Sequence, residues 1–172
     1  MEGLYGNLIL VICLFARETQ GIICDGQWKM FKIGKTNRCL KYFGKVPMEK
    51  AHEACQGESA YVPLLNNKDE DSDFFSAVTS FGYQNAIIDG TDKGKEGEWR
   101  NQRDNKLLTY FNWDFNQPDN HLNEDYLQYH GITPHTIQKD KWNDQRGSHE
   151  QNLICEKPGK MKKKLFFEKI IS

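Results

Sequence analysis

The 172-residue sequence lacks an excess of charge of either sign. Lys and Arg together number 23 and Asp and Glu 24, which leaves a net charge of −1. Proteins that attract nucleic acid through overall electrostatics carry a basic surplus, so no nucleic-acid partner is predicted. The length is enough for one ordinary globular domain and too short for two.

Long hydrophobic runs are also scarce. The apolar run 8–15 is too short to span a bilayer, and polar residues follow it at once. This pattern is typical of a secretory signal peptide, although Glu2 stands where basic residues are usual; a buried strand or helix is the alternative. We expect residues 1–21 to be a signal peptide, cleaved between Ala16 and Ile22, and the protein to be secreted. No other segment predicts a transmembrane span.

The cysteines lack the C-x-x-C spacing of a structural zinc site. Loss of the signal peptide removes Cys13 and leaves Cys24, Cys39, Cys55 and Cys155. An even number of cysteines in an exported domain indicates two disulfides. Four cysteines allow three pairings, and the residues alone do not choose among them.

The periodicity of the apolar residues predicts two early helices and later antiparallel strands, which is an α+β fold. The first helix is expected over 48–56, and the second, capped by Asn67, from about 68 to 80. A hairpin is expected around 34–37. The later strand candidates are 86–88, 107–113, 126–129 and 153–155. A long polar stretch follows residue 88, and bound cations are one means of ordering it.

The sequence shows no nucleophile–base arrangement that would indicate an enzyme. Oxygen-bearing side chains are instead concentrated between residues 117 and 144. Carboxylates and amide carbonyls are the ligands of Ca²⁺, and three carboxylates would repel one another without a divalent cation. A cis bond before Pro118 would aim its neighbours at one point. Taken singly, Gln-Pro-Asp predicts only a surface turn and Trp-Asn-Asp only a strand end. The candidate metal ligands are Gln117, Asp119, Glu124, Asn143 and Asp144.

Several spaced motifs resemble the C-type lectin family in its characteristic order. They are Gln117-Pro118-Asp119, Glu124-Asp125, Trp142-Asn143-Asp144 and Leu153-Ile154-Cys155-Glu156-Lys157. Residues 24–55 resemble the N-terminal hairpin and first helix of the long form of this family. The resemblance covers about residues 24–157. It implies a C-type lectin domain over 22–157, with small antiparallel sheets and a long calcium-binding loop.

The resemblance also implies a function and a cysteine pairing. The five candidate ligands would bind one calcium ion that accepts two vicinal hydroxyls of a sugar, and Gln-Pro-Asp accompanies galactose-type preference in the family. The carbohydrate-binding set is therefore these five residues, with His121 as a weak stacking candidate. The implied disulfides are Cys24–Cys39 and Cys55–Cys155. The alternative is a lectin-like domain that binds a protein or lipid and keeps calcium as a structural ion.

The sequence departs from the family pattern at the inner pair of cysteines. Tyr126 stands where one is expected, and 145–153 contains no cysteine. We therefore expect the binding loop to depend on calcium for its order. Residues 120–123 also lack the glycine-rich, aromatic loop of galactose-selective members.

The last segment, 158–172, lies outside the resemblance and is basic. Its five lysines and one glutamate give a local charge of 5 − 1 = +4. We expect a flexible end; the alternative is an amphipathic segment that contacts anionic membranes or polyanionic glycans.

Overall fold

The computed structural model describes residues 14–130 and 140–169, and within them the side chains of 21–130 and 140–162. Its contacts divide the chain into two units. In one, strand β1 (Leu14–Ile23) pairs antiparallel with β8 (Lys160–Lys169). The predicted signal peptide overlaps β1, with residues 1–13 outside the described part, and the predicted flexible end overlaps β8. Both assignments stay predictions.

The other unit, Cys24–Gly159, contains two three-stranded antiparallel sheets. The first has the order β2 (Lys29–Ile33), β3 (Thr36–Pro47) and β7 (Glu150–Pro158). The second has the order β4 (Ile87–Thr91), β5 (Tyr126–Tyr129) and β6 (Trp142–Gln145). Two helices precede the second sheet in the chain, so the predicted α+β class is confirmed.

The second helix, α2 (Lys68–Ser80), matches its prediction at both ends. Asn67 has extended backbone, and its side-chain Oδ1 accepts a hydrogen bond from the backbone N–H of Glu70 at 3.0 Å. The first helix begins as a 3-10 turn (Met48–Lys50) that continues as α1 (Ala51–Gln56). Within the described residues, no helix is both long enough and apolar enough to cross a membrane.

The predicted strand over 107–113 is wrong. Isolated bridges join Leu107 to Arg100 and Trp113 to Trp142, without a continuous ladder between them. This segment instead places Tyr110 and Trp113 against the core through their rings. Ring packing accounts for the apolar pattern, which periodicity alone does not distinguish from strand pairing.

The core has two parts. One packs α2 against the second sheet through side chains such as Phe74, Leu127 and Trp142. The other surrounds Cys55–Cys155. The structure contains both implied disulfides, Cys24–Cys39 and Cys55–Cys155, with sequence separations of 15 and 100 residues.

Candidate metal centre

Strand β6 and the loop before β5 bring three acidic side chains together. Carboxylate oxygens of Asp119, Glu124 and Asp144 all lie within 4.8 Å of one another. Asp144 is fully buried on β6, opposite Leu127 of β5 in the ladder. The antiparallel pairing therefore places one acid beside the loop that supplies the other two.

Hydrogen bonds from the loop backbone hold Asp144 in this position. Its two carboxylate oxygens accept from the N–H groups of Asp119 (3.2 Å) and Asn120 (2.7 Å). The side chain of Asn120 in turn accepts from the N–H of Glu124 at 2.8 Å. The Gln117-Pro118 peptide bond that leads into this loop is cis, the conformation considered above.

The three carboxylates are electrostatically unfavourable as a group. Burial raises the pKa of Glu124 to about 7, with further contributions from the negative charges of Asp144 and Asp119. The pKa of a carboxyl group rises in this way when positive charges and hydrogen-bond donors do not stabilise its ionised form enough. A divalent cation among the three would supply that compensation.

The donor set fits calcium. Gln117 Oε1 is buried and has no hydrogen-bond partner among the described residues. Calcium takes oxygen ligands at 2.3–2.6 Å, so ligands on opposite sides of an ion lie up to about 5 Å apart. The spacing of the three carboxylates agrees with that value. A buried amide oxygen without a partner is the kind of atom that a cation would satisfy.

The other predicted residues lie on the same two segments. Asn143 is buried on β6, and its side-chain nitrogen donates to the main-chain oxygen of Asp144, which leaves Oδ1 as the atom able to bind a metal. The exposed His121 donates its backbone N–H to Asp119 Oδ1 at 3.1 Å. The structure thus brings three of the predicted ligands, Asp119, Glu124 and Asp144, to within 4.8 Å of one another. The assignment of the full set, with His121, remains a prediction.

A neighbouring acidic group was missed by the sequence analysis. Asp92 is buried, and its Oδ1 has no partner among the described residues. Burial raises the pKa of Asp92, and the charges of Glu96 and Asp125 raise it further. Asn120 connects this acidic group to the cluster around Asp144, because its side-chain nitrogen donates to Glu96 Oε2 at 2.5 Å. The polar stretch after residue 88 was the available signal for these acids.

Asp71, in the first turn of α2, is a second residue that the sequence analysis did not single out. Its carboxylate is buried and accepts hydrogen bonds from four side chains of three later segments. One donor is the indole of Trp142, the residue before Asn143 and Asp144. The donors are Tyr110 OH (3.1 Å), Asn112 Nδ2 (2.6 Å), Tyr129 OH (2.6 Å) and Trp142 Nε1 (2.9 Å).

This combination of fold and loop defines a C-type lectin domain. Residues 44–157, more than half of the chain, match the family described as "Lectin C-type domain", and the chain belongs to that family. The predicted family and fold are confirmed. The family is one of carbohydrate-binding proteins that are not enzymes, in agreement with the prediction.

Several individual proteins are similar to this chain. A "Perlucin-like protein" of Mytilus galloprovincialis is 26% identical over 145 residues, which cover 80% of this chain and 84% of the relative. The carbohydrate-recognition domain of the mouse scavenger receptor C-type lectin is 28% identical, with a TM-score of 0.64 over 78% of this chain and 96% of that one. The herring type II antifreeze protein is 29% identical, with a TM-score of 0.62 over 78% and 98%.

Proposed function

We propose that this protein is a secreted, calcium-dependent lectin that uses one ion to bridge the protein and a glycan. The observation that carries the proposal is the cluster of Asp119, Glu124 and Asp144 beside the unpartnered, buried oxygen of Gln117. Bound calcium would supply coordination positions for two neighbouring sugar hydroxyls. The proposed ligands are Gln117, Asp119, Glu124, Asn143 and Asp144.

The protein side chains would recognise those hydroxyls as well as hold the ion. A carboxylate only accepts hydrogen bonds, whereas the amides of Gln117 and Asn143 also donate. Each sugar hydroxyl that binds the ion can then donate to a carboxylate and accept from an amide. The order of donors and acceptors around the ion would select the orientation of the two hydroxyls.

We propose galactose-type sugars as the ligand. The amide at Gln117 and the carboxylate at Asp119 form the Gln-Pro-Asp order that accompanies galactose preference in the family that the sequence resembles. A relative described as a carbohydrate-recognition domain supports a glycan ligand in general. His121, exposed beside Asp119, is available for a weak contact with the sugar.

Chelator-reversible retention on galactose–agarose tests this function. We expect the wild type to be retained in millimolar calcium and released by EDTA, and the Asp144→Asn variant not to be retained. Glu53→Gln is the matched control, because it removes an exposed acid of α1 that is paired with Lys50. Retention on mannose–agarose alone would show the galactose assignment to be wrong. Failure to bind either matrix in saturating calcium would show the lectin proposal to be wrong.

Secretion is proposed from the disulfides and the apolar start of the sequence. Two disulfides are characteristic of domains that mature in an oxidising compartment. Expression of the whole chain in secreting cells should deliver protein to the medium with a new N-terminus between Ala16 and Ile22. Retention of the intact N-terminus inside the cell would contradict this proposal.

A second candidate is a lectin-like domain that binds a protein or lipid, with calcium as a structural ion. The specific observation in its favour is that Tyr126 replaces one of the inner cysteines of the family. Without that disulfide, calcium would be needed to order the loop even if no sugar binds. An antifreeze protein with 29% identity also shows that related chains have acquired other roles. Calcium that stabilises the protein without any glycan retention would favour this candidate.

A further inference from the structure

We propose that Phe115 and Leu122 form the apolar part of the sugar-binding surface and contact the C–H face of the sugar that reaches the ion. This inference rests on the proposed lectin function. Phe115 is 86% exposed and Leu122 65% exposed, the two largest exposed fractions among the large hydrophobic side chains that the structure describes. Neither residue belonged to the binding set predicted from the sequence.

Phe115 is held at the tip of a tight turn that leads directly into Gln117. The N–H of Gln117 donates to the main-chain oxygen of Asp114 at 3.1 Å, and the N–H of Phe115 donates to the Asp114 carboxylate at 2.7 Å. Asn116 completes the turn with a φ of 61°, a left-handed conformation that Asn tolerates. The backbone of Phe115 is thus fixed while its ring points away from the core.

The same turn is anchored to the strand that carries two of the proposed ligands. The N–H of Asp114 donates to the main-chain oxygen of Trp142 at 2.8 Å, and the Asp114 carboxylate lies 3.2 Å from His130 Nδ1. Trp142 immediately precedes Asn143 and Asp144 on β6. The Phe115 turn is therefore attached by a backbone hydrogen bond to the residue next to two proposed metal ligands.

Leu122 occupies an unusual conformation for its residue type. Its φ is 60°, within a turn in which the N–H of Asn123 donates to the main-chain oxygen of Asn120 at 3.2 Å. Gly, Asn and Asp tolerate left-handed backbone, whereas Leu is strained there. An exposed apolar side chain in a strained position has no stabilising role in the free protein, which directs attention to a ligand.

Both residues lie close along the chain to proposed ligands. Each precedes a proposed ligand by two residues, so its Cα lies within about 7 Å of the Cα of Gln117 or Glu124. A sugar presents hydroxyls at its edges and C–H groups on its faces. Its hydroxyls would reach the ion while a C–H face covers an exposed apolar side chain, which removes apolar surface from water. A hexose bound through two hydroxyls is therefore the occupant that we assign.

The test compares sugar affinity with calcium affinity in variants of the full chain. Sugar binding is measured by calorimetry with methyl β-galactoside, and with methyl α-mannoside in parallel, in saturating calcium. Calcium binding is measured without sugar by tryptophan fluorescence. Phe115→Ala and Leu122→Asn should each weaken sugar binding about five- to twentyfold, because apolar contact is lost, with calcium affinity unchanged within about twofold.

Three further variants make the comparison specific. Phe115→Tyr keeps the ring and should restore wild-type sugar affinity. Leu122→Asn tolerates the left-handed backbone, so its melting temperature should not fall. Met30→Ala is the matched control, because Met30 is 52% exposed on β2 of the other sheet, and its sugar affinity should equal that of the wild type.

Each other outcome overturns a defined part of the proposal. Wild-type sugar affinity in Phe115→Ala and Leu122→Asn would show this inference to be wrong while the lectin function stands. Parallel losses of sugar and calcium affinity would show that the two residues only support the loop. A wild-type protein that binds neither glycoside would overturn the lectin function and this inference with it.

Discussion

The ring of Tyr126 lies against Gly147, so closely that a side chain on Gly147 has no room. A Cβ atom at Gly147 would be 2.8 Å from Tyr126 Cε2 and 3.0 Å from Glu49 Oε2. The N–H of Glu49 also donates to the main-chain oxygen of Gly147 at 3.0 Å. Where the family places an inner cysteine, this chain therefore has an aromatic ring that packs against a glycine backbone.

Gly147→Ala should destabilise the protein. The added methyl group must displace the Tyr126 ring or Glu49, and overpacking of this kind costs about 1–3 kcal/mol of the free energy of unfolding. Gly94→Ala is the matched control, since nothing lies within 4 Å of its Cβ position. Urea unfolding in saturating calcium measures both variants. Equal free energies of unfolding for Gly147→Ala and Gly94→Ala would show that close packing at Gly147 does not contribute to stability.

Calcium should order and stabilise the binding loop, because no inner disulfide closes it. Calcium at one hundred times its Kd adds about 2.7 kcal/mol to the free energy of unfolding, or about 5–10 °C in Tm for a domain of this size. Proteolysis within 114–125 should slow in parallel. Asp144→Ala should lose both effects, and the exposed-site control Glu53→Gln should keep them. A titration that changes neither quantity would contradict the prediction.

Calcium affinity should fall below about pH 7. Burial and the neighbouring charges of Asp144 and Asp119 raise the pKa of Glu124 to about 7. Binding must then displace a proton at lower pH, so the apparent Kd should rise toward tenfold per pH unit below 7 and stay level above it. Glu124→Gln should bind more weakly and lose this slope.

The stability of the calcium-free protein should change in the opposite sense. Between the ordinary pKa of a glutamate and about 7, folded Glu124 holds a proton that the unfolded chain has lost. The free energy of unfolding without calcium should therefore decrease as pH rises through this window. The Glu124→Gln variant should lack this component of the decrease in a urea-unfolding series.

Asp71→Ala should be strongly destabilising. Removal of the carboxylate leaves the buried indole N–H of Trp142 and the half-buried hydroxyl of Tyr110 without this acceptor. The Tyr129 hydroxyl loses one of its two acceptors and keeps the main-chain oxygen of Asp71, so the cost is about 3–5 kcal/mol in sum. Asp69, in the same helical turn but exposed, is the control. Asp69→Ala should lose only about 0.3–1 kcal/mol of helix-dipole energy. A cost at Asp71 no greater than that at Asp69 would refute the prediction.

Local signals explain which elements the sequence predicted well. Asn67 caps α2 through a hydrogen bond to a residue three positions away, so the start of that helix was readable from neighbouring residues. The turn that joins β2 and β3 follows from Gly34, whose φ of +58° suits glycine. The disulfides were implied by the family resemblance and not by the spacing of the cysteines.

The features that were missed depend on contacts between distant segments. Asp71 meets Trp142 across 71 residues of chain, and its place in the first helical turn resembles that of the exposed Asp69. Asp92 becomes part of an acidic group only because the fold brings the charge of Asp125 close to it. Phe115 was not singled out, because exposure on a turn cannot be read from residue type.

The two disulfides define how the domain would respond to tension on its ends. From Cys24 the covalent path crosses to Cys39, follows the chain to Cys55, and crosses again to Cys155, four residues before Gly159. Residues 56–154, with the whole candidate calcium loop, lie outside this path. A mechanical pull on the two ends would be limited by this covalent path, and the binding loop lies in the part of the chain that the path bypasses.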